Sequence, residues 1–270
     1  MTSRIGIIGY GVVGKAADNT LSNKYKTVKY DKYQHLDKFE DLLNCEFIFI
    51  MVPTPFDCST NSVDLSAVDE SLETLNKLNF QGIVIIKSTI PPGTCSSYSK
   101  IYEFEIIFNP EFLRESTTPN EDFENQDTVV IGTSSKTAYR KVRGMFKKVL
   151  VPDAKYFHTS PKDAEMIKTA QNTMLASRVA LANMIFDACQ ENGVDYNKVR
   201  EIAFDKFQIL GPHMVQVPGP DGKRGFGGKC LPKDIRAFSK ISKSKLLDEI
   251  IKYNDSLRND LDQFLMNYKK

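Results

Sequence analysis

Ile5-Gly6-Ile7-Ile8-Gly9-Tyr10-Gly11-Val12-Val13-Gly14 is the stretch on which the reading of this chain turns. A short apolar run leads straight into three glycines spaced G-x-G-x-x-G, and a helical pattern opens at Val12. Such a strand, turn and helix predict the first βα unit of a dinucleotide-binding fold. Gly9 would allow the tight turn, Gly11 would let a pyrophosphate approach the backbone, and Gly14 would let helix pack closely on strand. The N–H groups of Val12 and Val13, at the helix N-terminus, face phosphate charge favourably. Glycines at this spacing also serve ordinary turns, so the surroundings carry the argument. A second β-rich run, Thr27–Tyr30, ends at Asp31, about 20 residues on, where an acidic side chain accepts hydrogen bonds from the adenine ribose. That carboxylate would repel a 2′-phosphate, which favours NAD over NADP. Lys32 beside it works in the opposite direction.

Working outward, further β-rich runs follow at Phe47–Val52, Ile83–Lys87, Ile106–Phe108 and Val129–Ile131. They are nearly all apolar, as expected of strands covered on both faces. Helical patterns such as Leu65–Leu78 and Lys136–Lys148 lie between them. The alternation predicts an α/β fold, a Rossmann-type doubly wound parallel sheet over residues 1–158. At about Thr159 the pattern changes. Ser160-Pro161 reads as an N-cap with proline in the first turn, and the helical spacing then runs to Gly193. A helix of more than thirty residues exceeds the usual globular length and points to a central strut or dimer interface. Tyr196–Phe204, Lys233–Lys240 and Leu246–Leu265 complete a helical domain over 159–270, with a proline- and glycine-rich loop at Gly211–Gly228.

Composition sets few limits. Of 270 residues, 36 are Lys or Arg and 34 Asp or Glu, a net charge of +2 that creates no field for nucleic acid or an anionic membrane. No signal-peptide or membrane-spanning run is visible, so a cytoplasmic protein is expected. Five scattered cysteines without a C-x-x-C pair fit a reducing compartment and offer no metal constellation.

Gly225-Phe226-Gly227-Gly228-Lys229-Cys230-Leu231-Pro232-Lys233-Asp234 is the most chemical stretch. Its glycines let backbone approach a ligand closely, and Pro232 starts a helix whose N-terminal partial charge favours a thiolate at Cys230. Lys229 and Lys233 act in the same sense. Asp234 falls one helical turn after Cys230, on a shared face.

Together with Val52-Pro53-Thr54-Pro55, Ser88-Thr89-Ile90-Pro91 and Asn109-Pro110-Glu111-Phe112-Leu113-Arg114-Glu115, this stretch resembles the UDP-glucose/GDP-mannose dehydrogenase family, motif by motif and in order. The resemblance implies NAD-dependent, four-electron oxidation of the C6 hydroxyl of a nucleotide sugar to a carboxylate, with UDP-glucose the first expectation. Cys230 would form a thiohemiacetal and then a thioester. Lys168 and Asn172 match the family's oxyanion-binding pair. Thr89, Glu111 and Asp234 match residues that hold or activate a catalytic water. Val52, Pro53, Thr54, Pro55, Ser88, Thr89, Glu115 and Lys233 fall at cofactor-contacting positions, and Glu111, Phe112, Leu113, Arg114, Phe226, Gly227 and Gly228 at substrate-contacting ones. A homodimer through the long helix is expected.

Family members continue into a third domain that grips the nucleotide, whereas this sequence stops at Lys270. Ile209 or Gln208 stands where the family places an arginine before its Gly-Pro-His stretch, and Pro218–Arg224 is an insertion. Lys223 and Arg224 are therefore expected to meet the substrate's phosphates, arginine through bidentate contacts. The competing reading is a non-catalytic relative that binds NAD or a partner subunit.

Overall fold

The computed structural model describes residues 3–113, 118–207, 210–211 and 213–258. The chain divides into two compact units, Met1–Thr54 with Asp64–Lys168, and Pro55–Val63 with Thr169–Lys270. In chain order the first half contains β1 (Arg4–Ile8), α1 (Val12–Leu21), β2 (Lys26–Tyr30), β3 (Phe47–Ile50), the short β4 (Phe56–Asp57) and β5 (Ser62–Val63), α2 (Ser66–Lys77), β6 (Ile83–Ile86), α3 (Thr94–Tyr98), β7 (Glu105–Phe108), α4 (Pro119–Glu124), β8 (Thr128–Gly132), α5 (Lys136–Phe146) and β9 (Lys155–Thr159). The 31-residue α6 (Pro161–Glu191), α7 (Tyr196–Arg200), α8 (Leu231–Ser242) and α9 (Lys245–Leu257) follow.

The first unit is a seven-stranded sheet in the order β2-β1-β3-β6-β7-β8-β9. Strand side chains alternate between its two faces. Ile5, Ile7, Phe47, Phe49, Ile83 and Ile85 enter one core, with Ala16, Ala17 and Leu21 of α1 and Val142, Met145 and Phe146 of α5. Ile8, Ile48, Ile50, Val84 and Ile86 enter the other, with Val68, Leu72 and Leu75 of α2. Two buried faces explain why these strands carry unbroken apolar runs, with each fully buried branched side chain contributing about 1.5–3 kcal/mol.

Two features depart from the expected all-parallel, six-stranded sheet. β8 meets β7 antiparallel, through the single pair Phe108↔Gly132. An apolar run specifies a strand but not its direction, which the connection through α4 decides. β9 pairs parallel with β8 and is the seventh strand. As an edge strand it is largely exposed, and Lys155-Tyr156-Phe157-His158-Thr159 lacks the apolar signature of the others.

The second unit is helical apart from the antiparallel hairpin β4–β5, which packs on α8. Ser160 caps α6 as expected. Its Oγ accepts from Asp163 N at 3.1 Å and donates to the Asp163 carboxylate at 2.7 Å. Ala176, Ala180, Phe226, Ile235 and Leu247 bring α6, α8, α9 and the glycine loop into one core. Among the described residues, no helix is long and apolar enough to cross a membrane. The expected helical pattern at Leu246–Leu265 begins as α9, and 259–270 lie outside the described residues.

Candidate functional site

In the first unit, the glycine turn carries three different constraints. Gly9 has φ +92°, and a Cβ there would lie 2.5 Å from the carbonyl oxygen of Met51, so both conformation and the neighbouring strand require glycine. At Gly14 a Cβ would stand 2.1 Å from Gly9 O, where α1 rests on the turn. A Cβ at Gly11 would meet no atom within 4 Å, so nothing in the protein's own packing demands glycine there. α1 begins at Val12 without a side-chain cap and with no acidic residue in its first turn, which leaves its positive end open to an anion. Asp31 stands beside it. Its Oδ2 accepts from Tyr10 N at 2.8 Å and its Oδ1 from Tyr33 N at 3.0 Å, fixing the carboxylate at the end of β2. Lys32 turns to Glu70, 2.8 Å from both carboxylate oxygens, and its pKa is raised by that hydrogen bond. The lysine that argued for NADP thus has an acidic partner of its own.

The loops after β3 and β6 are tied together. Ser88 Oγ donates to Val52 O at 2.7 Å, and Thr54 Oγ1 to Thr89 O at 2.7 Å. These bonds hold Val52, Pro53, Thr54, Ser88 and Thr89 at the carboxyl ends of adjacent parallel strands, where open α/β sheets present their ligands. Pro55 opens the hairpin segment that belongs to the second unit.

Beyond β7, Glu111 is fixed by backbone and by a buried cation. Its Oε1 accepts from Phe112 N at 2.8 Å and Leu113 N at 2.9 Å, while its Oε2 lies 3.0 Å from Lys87 Nζ. Lys87, 2% exposed, also donates to Asn109 Oδ1 at 2.9 Å, and Asn109 Nδ2 donates to Val130 O at 2.7 Å. Lys168 is buried, with its ammonium 5.4 Å from the centre of the Phe112 ring. One turn earlier on α6, the buried Glu165 accepts from Gly93 N and Cys95 N and so caps α3. Burial raises its carboxyl above the usual range despite those bonds.

In the second unit, Cys230 occupies the N-cap of α8 and is exposed. Asp234, fully buried, is clasped from two sides. Asn172 Nδ2 donates to its Oδ2, and Lys233 Nζ lies 2.6 Å from its Oδ1. Asn172 of α6 and Asp234 of α8 are thus brought together, and Asp234 N donates to Cys230 O at 2.9 Å. The glycine turn before Cys230 is gripped from behind. Asn254 accepts from Phe226 N at 2.7 Å and donates to Phe226 O at 3.1 Å. At Gly227 a Cβ would stand 2.5 Å from the guanidinium carbon of Arg258, which donates to Gly225 O at 3.3 Å and pairs with Asp221 at 2.8 Å.

Two residues expected at the substrate have partners within the second unit. Phe226 is 2% exposed and its ring packs in that unit's core. Arg224 pairs with Asp187 of α6, donates to Asn183 Oδ1 at 3.3 Å and lies 5.2 Å from the centre of the Phe186 ring. Lys223 of the same loop is exposed. Arg114, Glu115, Gln208 and Ile209 lie outside the described residues.

Comparison with known proteins bears directly on this arrangement. Residues 15–150 match the UDP-glucose/GDP-mannose dehydrogenase family NAD binding domain, and residues 162–256 match that family's central domain. The chain belongs to the UDP-glucose/GDP-mannose dehydrogenase family. A UDP-glucose 6-dehydrogenase of Rickettsia bellii is 35% identical over 227 residues, 80% of this chain and 50% of that one. UDP-glucose 6-dehydrogenase TuaD of Bacillus subtilis is 32% identical over 228 residues, 79% of this chain and 47% of that one. The chain spans about half the length of these curated relatives. In fold it resembles the UDP-glucose dehydrogenase of Pyrobaculum islandicum, with a TM-score of 0.81 and 24% identity over 95% of this chain and 68% of that one.

The first unit corresponds to the family's NAD-binding domain, and its features fit that cofactor: an open Gly11, an uncapped helix N-terminus and an anchored acidic group at β2. Among the described residues no cluster of three His, Cys, Asp or Glu could hold a metal. Sequence reasoning missed Lys87, Asp187, Asn254 and Arg258. A lysine ending the otherwise apolar run Ile83–Ile86 was a usable signal, since a cation at the end of a buried strand needs a partner. Asp187, Asn254 and Arg258 lie on ordinary amphipathic or terminal helix positions and carry no such mark.

Proposed function

We propose that this protein is an NAD-dependent nucleotide-sugar 6-dehydrogenase that converts the C6 alcohol to a carboxylate, with UDP-glucose as the substrate and UDP-glucuronate as the product. One observation carries the reading. An exposed cysteine caps a helix N-terminus directly beside a buried Asn172–Asp234–Lys233 clasp, in a chain whose other unit is an NAD-binding domain.

Bound NAD supplies the hydride acceptor for both oxidations. Asp31 receives the ribose hydroxyls, and the N–H groups of Val12 and Val13 meet the pyrophosphate over Gly11. The first oxidation takes a hydride from C6 and a proton from its hydroxyl, leaving an aldehyde. The Cys230 thiolate, favoured by the α8 N-terminus, adds to the aldehyde carbon and forms a thiohemiacetal. Loss of a second hydride from that carbon leaves a thioester. Water then adds, the C–S bond breaks, and the acid and thiolate are released, so one sugar acid is formed for two NADH and three protons. Lys168 and Asn172 stabilise negative charge on the C6 oxygen as it develops. The family resemblance assigns Thr89 and Glu111 of the first unit, and Asp234 of the second, to holding or activating the hydrolytic water, and assigns Ser88, the Val52–Pro55 stretch and Lys233 to contacts with the cofactor.

A second copy of the chain covers α6. Met174, Leu181 and Met184, 66%, 50% and 52% exposed, share an apolar groove with Leu246 of α9, which is 70% exposed. An apolar stripe of this kind on so long a helix suits a homodimer. The activity is tested by incubating the protein with NAD and a panel of nucleotide sugars while following NADH absorbance. UDP-glucose should give the highest kcat/KM. NADH from none of the sugars would leave the non-catalytic alternative standing.

A further inference from the structure

We propose that Lys87 is a positioning residue for the hydrolytic half of the reaction, acting through Glu111. This deepens the role given above to Glu111 and rests on it. Lys87 directly follows β6, with its ammonium out of water, 2% exposed. A cation at such a site needs anionic or strongly polar partners, and its surroundings supply a carboxylate, an amide oxygen and a ring. The carboxylate is Glu111, at 3.0 Å; the amide is Asn109 Oδ1, at 2.9 Å; the ring is Phe123 of α4, its centre 5.4 Å away. Lys168 of α6, over Phe112, is a second cation beside this segment among the described residues.

The two oxygens of Glu111 have separate duties. Oε1 holds the N–H groups of Phe112 and Leu113 and so fixes the turn that follows Pro110. Oε2 faces Lys87 and is otherwise buried without a hydrogen-bond donor among the described residues. The ammonium is thus what holds and aims that oxygen. Without it, the buried oxygen is left with no partner among the described residues, and the carboxylate turns from the direction that a water-activating group needs. Lys87 itself touches neither water nor thioester; it sets the direction of the group that does.

The test separates this role from a structural one. In Lys87→Met, mixed rapidly with NAD and UDP-glucose, the first burst of NADH should keep its amplitude of two per Cys230. Release of acid should slow by about tenfold or more, with the Cys230 thioester detectable by mass spectrometry. A crystal structure of Lys87→Met should show Glu111 Oε2 turned from the place it holds 3.0 Å from Lys87 Nζ, while β6 and β7 keep their positions. Should Lys87→Met fail to fold, Lys87→Met/Glu111→Gln removes both charges and is compared with Glu111→Gln alone; equal rates of acid release support the proposal. A Lys87→Met protein with an unmoved Glu111 carboxylate and unchanged release, or a double variant slower than Glu111→Gln, overturns it. If the wild-type protein oxidises no nucleotide sugar, the functional reading fails, and the Lys87→Met crystal structure alone still decides whether Lys87 aims Glu111.

Discussion

In the proposed reaction, Cys230 and Asp31 are single residues on which distinct parts of the chemistry depend. Cys230→Ser removes the thiolate that traps the aldehyde, so steady production of acid should cease while NAD affinity, measured by fluorescence or calorimetry, stays within twofold or so. A variant that still forms acid at the wild-type rate would remove Cys230 from the reaction. Asp31→Ala should weaken NAD more than NADP, because the carboxylate accepts from ribose in one and repels phosphate in the other. With Lys32 drawn to Glu70, the acidic group dominates that choice. Equal losses for both cofactors would contradict the assignment. The glycine turn was legible because its steric reasons are local: a positive φ at Gly9 and helix contact at Gly14 leave a spacing in the sequence. Lys87 and Arg258 were not, since a buried cation's partners lie on other elements and sequence spacing does not announce them.

At the scale of elements, the inserted loop before Cys230 is where the expected and observed structures differ most. Arg224, expected at the substrate's phosphates, ties the loop to α6. Asp187 receives both Arg224 and the Tyr253 hydroxyl, the latter at 2.6 Å. Burial pushes its carboxyl up, but those bonds prevail and hold it below the usual aspartate range. A depressed folded-state pKa contributes stability that is present above the ordinary carboxylate value and lost as pH falls through the folded value. Asp187→Asn should therefore lower stability at neutral pH and flatten its dependence below about pH 4, as followed by acid titration of the circular dichroism signal. Because the pair is about one-third exposed, the neutral-pH loss should be about 0.5–1 kcal/mol. An Asp187→Asn protein that matches the wild type across the acid range would mean that the loop is anchored elsewhere. The missed strands have equally physical causes. β9 is an edge strand and shows no apolar run, and β4 and β5 have two residues each, too few to display a period of two.

Over the whole molecule, the α/β order, the long helix and the family were readable because they rest on alternating apolar runs and on motifs spread along the chain. The proposed homodimer assembles through the apolar face of α6. Leu181→Glu with Met184→Glu should convert a dimer to monomer in sedimentation velocity, since burying two uncompensated carboxylates costs several kcal/mol. A wild-type protein that sediments as a monomer at micromolar concentration would contradict the proposed homodimer. The central claim, that one chain carries a C6 alcohol through aldehyde and thioester to acid, is tested most directly by counting NADH against UDP-glucuronate formed in the same reaction. Two NADH per acid, falling to no acid in Cys230→Ser, is the predicted result. One NADH per sugar with free aldehyde accumulating would contradict it.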